Sequence, residues 1–106
     1  MGSIADVTYG EVGDEESITV GNVSIGFTEG KILVPSAQGV LEASKAEFKV
    51  EGDSIRFTRD GTTPTSTIGV LGEVGDIVTV EGKGNVKRFR AIRVTNDATI
   101  NVDYSR

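Results

Sequence analysis

Apolar and polar residues alternate along most of the chain after residue 16, and this period of two predicts β-strands. The alternation is clearest in residues 47–51 and 99–104, where every second side chain is apolar. Two further alternating runs flank Gly21 and Asn22, a pair typical of a tight β-hairpin turn. Because such runs recur about every eight to twelve residues between turn residues, we predict about eight short antiparallel strands.

The same alternation predicts which side chains face the core. The expected inward residues of the later strands are Phe48, Val50, Ile55, Phe57, Val78, Val80, Ile100, Val102 and Tyr104. Residues 82–85 contain two glycines, and we predict a hairpin loop there. Strict alternation fails between residues 86 and 94, so we predict a strand with a β-bulge near Arg90.

Composition supports the same fold class. Valine and isoleucine together number 23 of the 106 residues and threonine adds 11, whereas leucine contributes only three. β-Branched side chains suit a pleated surface better than a helix. We therefore predict an all-β protein, a small antiparallel β-sandwich of immunoglobulin-like or jelly-roll-like form, in which residues 17–106 make a single domain.

Residues 1–16 are predicted to form a flexible N-terminal arm, because three glycines interrupt the segment and three consecutive acids close it. The apolar side chains of the arm, which are candidates for docking on a neighbouring subunit, are Ile4, Val7, Tyr9 and Val12. A frayed terminus is the other interpretation that the sequence leaves open. The segment lacks the basic region and apolar core of a signal peptide.

Missing residue types exclude several kinds of chemistry. The chain has no His, Cys or Trp, so it cannot form a Ser–His–Asp or Cys–His nucleophile, a Cys/His zinc site or a disulfide. Its carboxylates lie in or beside turn-rich segments rather than in apolar windows that would raise their pKa values. We therefore expect no enzymatic activity, no cofactor and no metal site. No apolar run approaches the roughly 18–20 residues of a membrane span, so no membrane partner is expected.

Charge is unevenly distributed along the chain. The net charge is −5, made up of −7 in residues 1–53 and +2 in residues 54–106. The basic residues of the second half that we select as candidates for a protein partner are Arg56, Arg88, Arg90 and Arg93. A solvated face, or pairing with acids of adjacent strands, is the alternative interpretation. Nucleic acid is not an expected partner, because no exposed aromatic side chains, on which nucleobases could stack, accompany these basic residues.

The second half of the chain also contains a dense turn, in which Asp60, Gly61 and Pro64 are candidate structural residues. The segments around it resemble small virion proteins of tailed bacteriophages. They are Val50-Glu51-Gly52, Ile55-Arg56-Phe57, Asp60-Gly61-Thr62-Thr63-Pro64-Thr65, Phe89-Arg90-Ala91-Ile92-Arg93 and Ala98-Thr99-Ile100-Asn101-Val102-Asp103-Tyr104.

This resemblance implies a non-enzymatic structural protein of the virion, assembled in the host cytoplasm. Its most concrete form is a head decoration or cement protein that binds and stabilises the capsid, with the major capsid protein or other virion proteins as partners. A neck or tail accessory protein is the alternative. A homo-oligomer is expected, with a trimer favoured because a closed ring hides strand edges.

A second resemblance concerns the small β-modules appended to chitobiase-type glycoside hydrolases. It rests on the turn from Asp60 to Thr65 and on the strand centred on Ala91 and Ile92. This resemblance implies a carbohydrate-binding accessory module. Such modules present exposed aromatic side chains to sugars, and here Tyr9 and Tyr104 are the candidates.

Overall fold

The computed structural model describes residues 12–36 and 39–105, which form nine β-strands and two short helices. The strands are β1 (Val12–Val20), β2 (Leu33–Ser36), β3 (Gly39–Glu42), β4 (Lys45–Glu51), β5 (Ile55–Thr58), β6 (Val70–Gly72), β7 (Ile77–Glu81), β8 (Arg90–Arg93) and β9 (Ala98–Ser105). The helices are α1 (Glu29–Ile32) and α2 (Lys83–Arg88).

The described strands form three antiparallel sheets. One sheet has four strands in the order β1-β9-β4-β7, a second has three in the order β6-β5-β8, and β2 pairs with β3. Short connections at residues 52–54 and 73–76 carry the chain from one of the larger sheets to the other. The predicted all-β fold, a small antiparallel β-sandwich, is confirmed.

The core lies between the two larger sheets and follows the alternation of the sequence. Along β4 every second residue is buried, and β9 buries Ile100, Val102 and Tyr104 in the same way. Aromatic rings fill the centre: Phe27 stacks on Phe89 with ring centroids 4.1 Å apart. The predicted inward residues are buried, except that Val78 is only partly covered.

The hairpin predicted at Gly21 and Asn22 is wrong. β1 pairs with β9, and the chain then crosses to the other sheet, where the backbone of Ile25 exchanges two 2.9 Å hydrogen bonds with Ala91. The physical reason is that β9 offers β1 a seven-residue register, whereas residues 22–28 are needed to cover the free edge of β8 and to bring Phe27 into the core.

The loop and bulged strand predicted for residues 82–94 are also wrong. Residues Lys83–Arg88 form α2, and the strand starts only at Arg90. The helix buries Val86, after which Phe89 and Ala91 both face the core without a bulge. This short helix exposes Lys83, Lys87 and Arg88 and keeps one apolar side chain inside, a pattern that a period of two does not predict.

The boundary predicted between an arm and the sandwich needs correction as well. β1 begins at Val12, so residues 12–16 belong to the four-stranded sheet rather than to an arm. Cross-strand partners explain the earlier start: Glu15 pairs with Asp103 and Glu16 with Val102. Ile4, Val7 and Tyr9 lie outside the described residues.

Candidate interaction surfaces

The four candidate arginines do not form one basic patch. Arg56 and Arg90 lie on the outer face of the three-stranded sheet, opposite Ile92 and Thr58 respectively. Arg56 forms hydrogen bonds within the protein. Its guanidinium donates to the carbonyl oxygens of Ser66, at 3.3 Å, and Gly69, at 3.2 Å. Its role in the structure is to hold the loop 60–69 against the sheet.

The other candidate arginines have different surroundings. Arg93 forms an ion pair of 2.5 Å with Asp97. Arg88 donates to the Asn85 side chain at 3.1 Å, within α2. Arg90 is exposed, and its guanidinium has no hydrogen bond or ion pair with the described residues, so in this part of the chain it is the one candidate whose guanidinium is free for a partner.

The turn at Asp60 has the geometry of a structural element. The Asp60 carboxylate accepts the backbone N–H of Thr62 at 3.0 Å, and this hydrogen bond holds the pKa of Asp60 below its usual value. Gly61 has a φ of 89°, a conformation that glycine adopts without a Cβ clash. Pro64 is fully buried where the loop turns back toward β6. Val12, the remaining candidate, pairs with Ser105 at the start of β1.

An exposed apolar edge was not anticipated from the sequence. Five of the nine large apolar side chains that are exposed in the described part of the chain lie within ten consecutive residues. They come from β6, from β7 and from the segments flanking β6, and each is between 41% and 67% exposed. We call this surface the β6–β7 edge; it consists of Ile68, Val70, Leu71, Val74 and Ile77.

The β6–β7 edge is formed by the outermost strands of two different sheets. β6 flanks β5 and β7 flanks β4, and the connection 73–76 joins them. Gly75 donates its N–H to the Val50 carbonyl at 2.7 Å, so the connection is fixed to the rest of the sandwich. Leu71 lies on the outer face of the three-stranded sheet, opposite Arg56, and Ile77 lies on the outer face of the four-stranded sheet, opposite Lys49. Exposed apolar side chains on a rigid frame are the kind of feature that marks a protein contact.

Two backbone carbonyls of β7 accept hydrogen bonds from side chains. Arg59 donates to the carbonyl of Thr79 at 3.3 Å, and Asn85 donates to that of Glu81 at 3.0 Å. These are alternate residues of β7, so both carbonyls point away from β4. With the carbonyls of Thr79 and Glu81 occupied, β7 is a weaker template for an added strand, which favours side-chain contacts with a partner.

The outer face of the four-stranded sheet is acidic. Glu15, Asp103 and Glu47 stand side by side on β1, β9 and β4 in one register. They line a shallow groove of about 460 Å³ that also reaches Ile77. Like charges in directly opposite positions destabilise a sheet. No group of three or more metal-ligating side chains in the described residues is arranged to hold an ion.

Glu16 has a different role from its neighbour, because it points toward the core. Its carboxylate accepts hydrogen bonds from the hydroxyls of Tyr104, at 2.5 Å, and Thr28, at 2.7 Å. Burial and the Glu16 carboxylate together raise the pKa of Tyr104 well above its usual value. This polar contact ties β1, β9 and the segment before α1 together. Sequence analysis had assigned Glu16 to a solvated arm.

Neither helix in the described residues is long and apolar enough to cross a membrane. No protein family, curated protein or solved structure matches the chain. The β6–β7 edge is therefore the feature on which a functional proposal can be based.

Proposed function

We propose that this protein is a non-enzymatic structural protein that works by contact with other proteins in an assembly. The observation that carries the proposal is the β6–β7 edge: five exposed apolar side chains lie on or beside two edge strands, and two outward carbonyls of one of these strands, β7, already accept hydrogen bonds from side chains. Exposing that much apolar surface to water is unfavourable, so burying it against a partner lowers the free energy. Because two carbonyls of β7 already accept hydrogen bonds, we expect a partner to contact the side chains rather than the backbone.

We further propose that the assembly is a bacteriophage virion and that the protein decorates and stabilises the head. Support for this setting comes from the resemblance of residues 50–104 to small virion proteins. The partner in this proposal is the major capsid protein, and the contact is non-covalent. A neck or tail accessory role uses the same surface with a different virion protein.

A carbohydrate-binding module is the second proposal considered, and one observation counts against it. Sugar platforms need exposed aromatic faces, but Tyr104 is fully buried and the four phenylalanines face the core. Tyr9 lies outside the described residues. Specific binding on a glycan array, together with no binding to capsids, would favour this module over the virion protein.

The test is co-sedimentation of the purified protein with expanded capsids of the phage that encodes it. We expect the wild-type protein to sediment with capsids and the Ile77→Asp variant to bind at least about ten-fold more weakly, since a charge replaces the most exposed apolar side chain of the edge. Val23→Asp is the matched control, because Val23 is 74% exposed but lies away from the edge. Failure of the wild-type protein to bind any virion component would refute the proposal.

A further inference from the structure

β1 has the longest free strand edge in the described part of the chain. It is the outermost strand at one border of the four-stranded sheet, and only β9 pairs with it. The other borders of the two larger sheets are short or protected. Two carbonyls of β7 accept hydrogen bonds from side chains, residues 21–25 cover β8, and β6 has only three residues. A long unprotected edge is a template for an added strand.

The hydrogen bonds of the four-stranded sheet show which backbone groups of β1 are unpaired. In an antiparallel sheet, successive residues direct their N–H and C=O groups to opposite sides. Val50 donates its N–H to the Asp76 carbonyl at 3.0 Å, so the even-numbered residues of β4 bond to β7 and the odd-numbered ones to β9. Carried across β9 by the strand register, the same alternation makes the even-numbered residues of β1 bond to β9. The backbone groups that point away from the sheet are therefore those of Glu15, Ser17 and Thr19.

These three residues are open to a partner. Each is exposed, and none of their backbone N–H and C=O groups forms a hydrogen bond with the described residues. An antiparallel strand placed beside β1 can pair with all three, with two hydrogen bonds at each pair. The side chains of the paired residues then lie on the outer face of the sheet, beside Glu15, Ser17 and Thr19.

Charge on this edge restricts the kind of strand that it favours. The Glu15 carboxylate has no ion pair with the described residues, and it lies beside Asp103 and Glu47 in one row of like charges. The basic residues of this face, Lys45 and Lys49, are on β4, two strands away from the edge. A basic side chain opposite Glu15 adds an attractive cross-strand pair to a row that is otherwise repulsive.

A second copy of β1 fits this edge less well. It brings its own Glu15 and Glu16 to a strand that already carries both carboxylates, and Glu16 points inward, where it accepts hydrogen bonds from Tyr104 and Thr28. Inward-pointing charges on edge strands disfavour pairing between such edges. The carboxylates that oppose self-association therefore favour a basic partner.

We propose that the free edge of β1 binds an extended segment of a partner protein as an added antiparallel strand, with a lysine or arginine of that segment opposite Glu15. Backbone hydrogen bonds supply the affinity in this mode of binding, and the side chain opposite Glu15 supplies the preference for a basic segment. The surface is separate from the β6–β7 edge, because β1 and β7 lie at opposite borders of the four-stranded sheet. The inference therefore goes beyond the proposed function.

The probe is a short synthetic peptide in which lysine and threonine alternate. In the proposed register its lysines are opposite Glu15, Ser17 and Thr19, so the lysine backbone N–H groups donate to β1 and the threonine ones point away. Methylating the threonine backbone nitrogens should leave binding intact, whereas methylating the lysine ones should weaken it at least about ten-fold. With equal numbers of methyl groups the two peptides have the same charge and composition, so attraction between charges alone predicts equal binding.

Backbone amide shifts in NMR spectra measure both the affinity and the place of binding. We expect the amides of Glu15, Ser17 and Thr19 to shift and to exchange more slowly with solvent when the peptide is bound, since these are the amides of β1 that gain hydrogen bonds. Equal binding of the two methylated peptides, or shifts located elsewhere, would overturn the proposal. Slow exchange of the same amides in the free protein would also overturn it, because the edge would then be covered by another part of the chain or by a second copy.

Charge variants test the role of Glu15. Glu15→Lys should weaken binding of the threonine-methylated peptide at least about ten-fold and should allow binding of a peptide with glutamate in place of lysine. Glu51→Lys is the matched control, because it makes the same change in net charge on the same sheet face but two strands from the edge. Circular dichroism shows that each variant is folded. Equal weakening by the two variants would reject a specific pair at Glu15.

The result is distinguishable from that of the capsid test. Capsid binding that is lost in Ile77→Asp, together with no peptide binding at β1, leaves the proposed function in place and rejects the added strand. Register-specific peptide binding, together with no binding to any virion component, supports the added strand and rejects the proposed function.

Discussion

At the scale of single residues, the contact between Tyr104 and Glu16 is the most consequential polar interaction in the described core. The Tyr104 hydroxyl is buried and donates to a carboxylate, and hydrogen bonds to charged groups contribute about 1.5–3 kcal/mol. We expect Tyr104→Phe to lower the free energy of unfolding by that amount, measured by urea denaturation. Thr28→Val removes the other donor to the same carboxylate and should cost less, because Thr28 is exposed. Unchanged stability in Tyr104→Phe would contradict this assignment.

The same tyrosine predicts a dependence of stability on alkaline pH. Its pKa is raised in the folded protein, so the folded state binds the phenolic proton more tightly than the unfolded chain does. The resulting stability is fully present below the unfolded value of about 10 and decreases as the pH rises above it. Thermal unfolding at a series of alkaline pH values should show this decrease in the wild type. Tyr104→Phe should lack most of it; an identical decrease in both proteins would be the contrary result.

Gly69 is a position where the structure requires glycine. Its φ is 121°, and an added Cβ would lie 3.0 Å from the carbonyl oxygen of Phe57. Strain in this backbone region costs about 1–2 kcal/mol, so Gly69→Ala should destabilise the protein by at least that much. Gly75→Ala shares the positive φ but meets no atom within 4 Å, so it should cost less, and Gly30→Ala should be nearly neutral. Melting temperatures in a different order would show that the close approach to Phe57 is unimportant.

At the scale of elements, β5 and the loop 60–69 are joined by the two hydrogen bonds of Arg56. Removing them with Arg56→Ala should raise the hydrogen-exchange rate of amides in residues 65–69 while leaving β4 and β9 protected. Arg90→Ala is the matched control, because Arg90 lies on the same sheet face without a described partner. Equal exchange in the two variants would mean that Arg56 does not hold the loop.

The elements that sequence analysis predicted well are those with strict alternation. β4, β5 and β9 each bury every second residue, so a period of two is sufficient to place Phe48, Phe57 and Val102 inside. The segment after β1 could not be placed this way. Its alternating residues resemble half of a hairpin, yet their partner is β8, which is distant in sequence. The strand partner of such a segment is distant in sequence, and the local pattern of apolar and polar residues does not identify it.

The candidate surface shows the same division between local and long-range information. The arginines were visible as charges, but the partners of Arg56 and Arg93 depend on how loops fold back, and the sequence does not show this. The β6–β7 edge did leave a local signal, since residues 68–71 and 74–77 contain apolar side chains without strict alternation. That signal was open to two interpretations, a buried strand or an exposed edge, and only the sheet order decided between them.

At the scale of the whole molecule, the arrangement of strand edges bears on the reason for expecting a closed ring. The trimer was favoured because a closed ring would hide unpaired edges. In the structure the β7 carbonyls of Thr79 and Glu81 accept hydrogen bonds from Arg59 and Asn85, and residues 21–25 cover β8. These edges need no ring to protect them.

The outer face of the four-stranded sheet supplies the last prediction. Asp103 lies between Glu15 and Glu47 in one register, so each of its two cross-strand pairs is repulsive. Asp103→Lys converts both pairs into attractive ones, and each such pair contributes about 0.2–1 kcal/mol. We therefore expect this variant to be more stable than wild type in urea denaturation at low salt. The gain should shrink as salt screens the exposed charges. Asp97→Lys is the control, because it removes the ion pair with Arg93 and should not stabilise. A gain in stability that does not depend on salt would mean that packing, and not charge, accounts for the difference between Asp103→Lys and wild type.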